Sequence, residues 1–206
     1  MTLMPMLLAL GVVAGPAHAK KGDAGVRLKY STDLMKLRID KVEYDGTVDD
    51  NSEQRYTTVS LLDSGGRFEA TKMLGDGIEV GGIFGFTQER GTIGDTEDPT
   101  DRHVRLIATG AYNLGLGGGT RLFIQPLAGI DQTTVDVGED AESQVRYLLA
   151  GADVGLRIKL NKKTTFDVAG EALMGNGKLT VGGESDDKLK LKHTEAGLRI
   201  GISCRI

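Results

Sequence analysis

Few residues in this chain are placed to do covalent chemistry. Of three histidines, His18 falls in an N-terminal apolar segment, which leaves His103 and His193. His193-Thr194-Glu195 sets an imidazole and a carboxylate on one face of an extended chain, two of the three groups of a hydrolytic triad. The third is missing. Thr194 points to the opposite face, and Glu195 rather than a serine holds the i+2 position. A nucleophile must lie within hydrogen-bond reach of its base, so His193 reads as a solvated rim histidine and no catalytic residue is expected. The glycine run from Gly115 to Gly119 and the pair Gly182-Gly183 lack the lysine and following helix of a phosphate loop, so they read as turns. Asp49-Asp50 and Asp186-Asp187 could hold Ca²⁺ or Mg²⁺ through oxygen ligands, but neither has EF-hand spacing. No metal site or cofactor is expected beyond loosely held divalent cations there. Cys204 is the single cysteine, which excludes a disulfide framework within one chain.

Charge pairing is written more strongly. Asp153, Arg157, Asp167, Glu171, Glu195 and Arg199 are all odd-numbered and share the polar faces of alternating segments. On the other faces Leu148 to Leu160 and Ala196 to Ile206 run apolar at every even position, and Phe166, Val168, Gly170, Ala172 and Met174 do the same. Such period-two patterns are strands. Eight can be laid out, at 25–44, 55–74, 78–91, 102–114, 120–135, 145–160, 164–181 and 188–206. The first changes parity between Val26, Leu28, Tyr30 and Met35, Leu37, Ile39, which predicts a bulge. Inward glycines such as Gly151, Gly155, Gly197 and Gly201 are expected to make room for Arg157 and Arg199. Lys72 shares the apolar face of Phe68, Ala70 and Leu74, close to a tight turn.

The connections differ in kind. Tight ones are expected at Gly75-Asp76-Gly77, Asn113 to Gly119 and Asn161-Lys162-Lys163. The others, 45–54, 91–101, 136–144 and 182–187, hold fifteen of the 29 acids and no lysine or arginine. In an up-and-down meander these four lie at one end. The opposite end collects Lys20, Lys21, Lys162, Lys163 and Arg205, so the molecule is polar along its strand axis.

Composition narrows the class. At 206 residues the chain should form one domain. A net charge of −4 gives no basic footprint for nucleic acid. Apolar residues at 39% and charged at 26%, with mean hydropathy −0.17, fit neither a disordered chain nor a helical membrane bundle. Residues 1–19 carry an apolar stretch and then Ala17-His18-Ala19, a small-x-small cleavage pattern, so they are expected to be a signal peptide, with a single strand-built domain at 20–206. Beyond Ala19 no apolar run reaches the ~20 residues of a membrane helix.

With these features in hand, the chain resembles the eight-stranded outer-membrane β-barrels of the OmpA/OmpX-like group. The segments RFEATKMLGDGIEVGGIFGF, RLFIQPLAGI and YLLAGADVGLRIKLNKKTTFDVAG carry the likeness, with glycines recurring beside turns. It spans roughly residues 25–206. The chain departs from the group in ending Cys204-Arg205-Ile206 rather than on an aromatic residue, and in having no tryptophan. The resemblance implies an all-β, closed, up-and-down antiparallel transmembrane barrel in the outer membrane of a Gram-negative cell envelope. It also implies acidic loops outside, both termini in the periplasm, a filled interior with no open pore, and a structural or surface role as a monomer in lipid. Alternatives are a soluble exported barrel binding a small apolar ligand, and a lipid-modifying barrel enzyme acting through His193. Within the barrel, a three-residue turn at 161–163 keeps even residues outward on both flanking strands. It sets Arg157 opposite Asp167 and Asp153 opposite Glu171, and Arg199 is expected to bridge Glu171 and Asp153.

Overall fold

Alternation at every second residue gives a strand two unlike faces, and each face must find its own medium. The computed structural model describes residues 25–59, 66–75, 77–93, 96–136, 142–185 and 188–206. The segment 1–19, with its expected cleavage site, and Lys20 and Lys21 lie outside them. Among the described residues ten strands form: β1 (Val26–Tyr44), β2 (Thr47–Val59), β3 (Arg67–Gly75), β4 (Ile78–Ile93), β5 (Thr96–Gly117), β6 (Thr120–Asp136), β7 (Glu142–Lys159), β8 (Thr164–Val181), β9 (Glu184–Ser185) and β10 (Leu189–Arg205). The wall runs β1-β3-β4-β5-β6-β7-β8-β10, and β10 pairs back onto β1 from Arg27↔Arg205 to Tyr44↔Leu189. A ring of eight antiparallel strands is thereby closed, which leaves no edge with unpaired backbone groups.

The stagger of that ring can be followed residue by residue. Ladder partners lead from Leu28 to Ala70, Gly82, Ala108, Ala128, Ala150, Met174 and Thr194 in turn, and return to β1 at Ile39. The return lies eleven residues from the start. One of these is the bulge between Asp33 and Met35, which leaves a shear of ten. Eight strands with that shear tilt by about 40° to the barrel axis. The bulge is the parity change of the first strand: Leu28 and Tyr30 face out before it, Met35 and Leu37 after it.

Two expectations are corrected. The second strand, expected at 55–74, is two strands, both paired to β1: β2 from Met35↔Val59 upward and β3 from Ser31↔Arg67 downward. The acidic segments are also less loop than ladder. The chain turns at Asp45-Gly46 and strand resumes at Thr47. β4–β5 pairing reaches Ile93↔Thr96, and Gly182-Gly183 turns directly into β9. Where a hairpin leaves the membrane both faces are wet, so hydropathy stops alternating while the backbone ladder continues.

The packing is inverted relative to a water-soluble protein. Among the described residues 21 buried ones are polar or charged against ten apolar, while Leu148 is 67% and Phe68 62% exposed. On β7 the outward apolar positions from Leu148 to Ile158 span about 25 Å along the barrel axis, the height of a hydrocarbon core crossed by strands. Lys72 faces outward beside the Gly75 turn, within snorkelling reach of that boundary.

Candidate functional site

The interior is a lattice of ion pairs to which every strand of the ring contributes. Near the short-turn end, Glu79 of β4 is fully buried and accepts from Arg27 at 2.5 Å, Arg157 at 2.6 Å, Thr71 at 3.0 Å and Asn113 at 3.0 Å. Arg157 also grips Asp167 across the β7–β8 ladder. Lys29 lies 3.2 Å from Asp167 and 3.5 Å from Glu69, whose other oxygen accepts from Gln125 at 2.8 Å. Phe123, wholly buried, stacks under the Arg157 and Lys29 cations with 4.9 and 5.4 Å to the ring centre.

Midway, Arg199 pairs with Asp153 and lies 3.3 Å from Glu171, which is also held by Arg67. Asp153 stands opposite Glu171 on the β7–β8 ladder, and Arg199 sits one diagonal step from Glu171 on β10. Above them Glu195 collects Arg67 at 3.1 Å, Arg105 at 2.9 Å and Lys36 at 3.1 Å, and Arg105 also holds Asp131. The six residues singled out from sequence therefore all face the lumen, divided between a lower group (Arg157, Asp167) and an upper one (Asp153, Glu171, Glu195, Arg199). Sequence reading missed Arg27, Lys29, Arg67, Glu69, Glu79, Arg105 and Asp131. All are odd-numbered polar residues on apolar-even strands, so the same parity rule would have found them.

The lattice is nearly neutral. Among the described residues six buried cations meet seven buried anions, and half-buried Lys36 and Asp33 add one charge of each sign. Charge taken out of water survives only when paired and hydrogen-bonded, so each lattice member depends on its neighbours.

Apolar residues line one side of the lumen. Ile83, Ile107, Leu127, Leu149 and Leu173 come one each from β4 to β8. Inward glycines face these side chains across the ladder: Leu127 opposes Gly151, Leu149 opposes Gly175 and Tyr147 opposes Gly177. This corrects the expected role of the glycines. A Cβ on Gly151 would lie 2.0 Å from the Ala172 carbonyl oxygen and 2.8 Å from Leu173 Cδ2, and one on Gly155 would meet Val168 and Ala169. A Cβ on Gly197 would meet the Met35 carbonyl oxygen at 2.7 Å, and one on Gly201 the Tyr30 carbonyl oxygen at 2.9 Å and Lys29 Cε at 3.0 Å. These positions are glycine because neighbouring backbone and apolar side chains press on them, not to accommodate arginine.

His193 is a second correction. It is buried, not solvated: Nδ1 lies 2.8 Å from Asp40, Nε2 lies 3.4 Å from Glu195, and the ring packs on Tyr147 with centroids 5.0 Å apart. Both nitrogens are turned to carboxylates, so neither is placed to take a proton from a hydroxyl. His103 is bonded to Asp131. The upper end of β10 reaches β1 across the closing seam, and that contact carries the ring inside.

Outside, the wall is apolar up to a sharp limit. A concavity of about 910 Å³ lies on the outer face of β3 to β6, where Ala70, Gly82, Ala108 and Ala128 form a row beneath Phe84 and Leu106. Above the apolar belt the outward residues become charged. Lys192 bonds Glu43 at 2.6 Å and holds its carboxyl below the usual range, and Lys41 with Arg55 does the same for Glu53.

A closed eight-stranded ring with ions inside and hydrocarbon outside is a membrane-spanning β-barrel of the small outer-membrane type. Among solved structures the outer membrane protein OprG from Pseudomonas aeruginosa is similar with a TM-score of 0.52 at 13% identity, over 94% of this chain and 99% of that one. Neisserial surface protein A gives 0.48 at 10% identity, over 88% and 97%. Ail, the attachment invasion locus protein of Yersinia pestis, gives 0.42 at 14%, over 86% and 99%. No protein-family model matches the chain, and no curated protein matches it. The fold is that of the eight-stranded outer-membrane barrels, the class to which the OmpA/OmpX-like resemblance pointed.

Proposed function

We propose that this protein is a monomeric outer-membrane barrel whose interior is sealed by its charge lattice. In this reading it acts structurally, or through surface contacts made by its acidic hairpins, rather than as a pore or an enzyme. The acid-rich hairpins face outside the cell, and the short turns and both termini face the periplasm. The observation that supports the reading is the lattice itself: Glu79 pairs with Arg157 and Asp153 with Arg199 inside the ring, with their side chains at most 2% exposed. A soluble barrel holding an apolar ligand would need the reverse, an apolar lumen and a polar wall.

Planar-bilayer recording tests the proposal. The purified protein should show no stable ohmic conductance, and it should resist SDS at room temperature while changing mobility on boiling. Steady large openings at all voltages would overturn the sealed interior and with it the structural role.

A further inference from the structure

The seam that closes the ring joins β1 to β10, and a histidine is buried within it. Asp40 and His193 stand directly opposite each other on that ladder. The His193 side chain is fully buried, with Nδ1 2.8 Å from Asp40 and Nε2 3.4 Å from Glu195. The Nδ1 contact is a hydrogen bond; Nε2 faces Glu195 at ion-pair distance without one. A carboxylate only accepts, so a neutral imidazole satisfies one of these groups and turns a lone pair on the other. The imidazolium alone presents N–H to both.

The surrounding charges ask for that extra proton. The ion pairs of the upper lumen link six carboxylates: Asp33, Asp40, Asp131, Asp153, Glu171 and Glu195. They link five permanent cations: Lys36, Arg38, Arg67, Arg105 and Arg199. Around His193 itself, Arg38 donates to Asp40 at 2.7 Å, and Lys36, Arg67 and Arg105 hold Glu195. The remaining neighbours are neutral: β7 packs the Tyr147 ring on the imidazole, β8 sets Gly175 opposite His193, and β2 sets Gln54 opposite Asp40. Asp131 of β6, opposite Tyr147, is already gripped by Arg105 and bonded to His103, which is 28% exposed and can lean on water instead. Within this network His193 is the buried group able to supply the sixth positive charge, and a buried charge persists only when paired.

We infer that His193 is a proton latch on the closing seam: as an imidazolium between Asp40 and Glu195 it ties β10 to β1 at the acidic end of the barrel, and it weakens that end of the seam when rising pH removes the proton. Asp40 and Arg38 keep part of their side chains in contact with the upper mouth, which gives the proton its route. The latch concerns closure of the ring and does not depend on the role proposed above.

The test follows urea unfolding of the protein in phosphatidylcholine vesicles between about pH 6 and about pH 9, a range in which ordinary carboxylates, lysines and phenols keep their charge. Cys204 and the amino terminus titrate there too, but every variant shares them. The folded chain holds the His193 proton after the unfolded chain has lost its own, so stability falls as pH rises. The folding constant should drop about tenfold per pH unit above about pH 6.5, for as long as the folded chain keeps the proton. H193Q should lose this slope and H103Q should keep it. On H103Q, nitrogen NMR should find one imidazole protonated at both nitrogens above about pH 7.5, beyond the ordinary histidine range. Adding D40N should lower the pH at which that imidazole gives up a proton. Should H193Q fail to fold, these two titrations decide. Stability that is flat or rises with pH, a slope that survives in H193Q or vanishes in H103Q, or a titration indifferent to D40N overturns the latch.

Discussion

Arg157 meets Asp167 directly across the β7–β8 ladder, its Nε and Nη2 donating to the two carboxylate oxygens at 3.1 to 3.2 Å. The same guanidinium turns Nη1 to Glu79 on the far side of the lumen at 2.6 Å. A local hairpin contact is thereby tied to a strand seventy-eight residues away. Arg105 has the same double character, holding Asp131 on the neighbouring strand and Glu195 across the lumen, and the consequences of breaking such contacts are unequal.

Arg199 is the sharpest case. Arg199→Met should destabilise the barrel by about 3–5 kcal/mol, since it strands a buried carboxylate. The stranded group is chiefly Asp153, because Glu171 keeps Arg67. Adding Asp153→Asn should therefore recover more stability than adding Glu171→Gln. Urea unfolding in lipid vesicles gives the ranking, and equal recovery by the two would refute the assignment of partners.

Glycine tolerance should follow the side of the wall. At Gly151 a Cβ would collide with the Ala172 carbonyl, whereas at Gly170, on the outer face, the nearest atom lies 3.9 Å away. Gly151→Ala should cost about 1–3 kcal/mol, as overpacking does. Gly170→Ala should be close to neutral. Similar midpoints for the two in vesicle unfolding would mean that the inward glycines are not under pressure from their neighbours.

The outer belt makes a depth-dependent prediction. Val154, 50% exposed at the middle of the apolar span of β7, should tolerate arginine poorly, at about 2–4 kcal/mol. Gln144, beyond Arg146 and on the same face, should accept it for about 0–1 kcal/mol. Equal costs would place the membrane elsewhere on the wall.

Orientation is open to proteolysis. Protease added to intact cells should cut in the acidic segments near Asp98 or Asp140, of which Asp140 lies outside the described residues. Cleavage confined to the 161–163 turn would reverse the assignment.

How much of this could be read from the chain depends on range. Residue parity alone determined which side chains face lipid and which face the lumen, because a strand's faces alternate whatever its partners. The 161–163 turn then fixed a register, so Arg157 against Asp167 was legible: both residues are close in sequence and one turn length relates them. The bulge near Asp33 was legible for the same reason, as a change of parity within one strand. Asp45-Gly46 is likewise a local hairpin signal, set within an acid-rich stretch.

Only closure of the ring decided the rest. Arg27, Glu79 and Arg157 meet because eight strands with a shear of ten bring β1, β4 and β7 around one lumen, and shear is a sum of every turn and bulge. An error of one residue anywhere would change every cross-lumen partner. His193 was misread for that reason: from its own strand it stands at a rim, and only the β1–β10 seam sets Asp40 across from it. The inward glycines were likewise assigned to the arginines because sequence shows what shares a strand face, not which neighbouring backbone presses on it. Sequence by itself settled the two media each strand must separate. The tertiary structure settled which charges neutralise one another inside, because that depends on the angle at which the sheet meets itself.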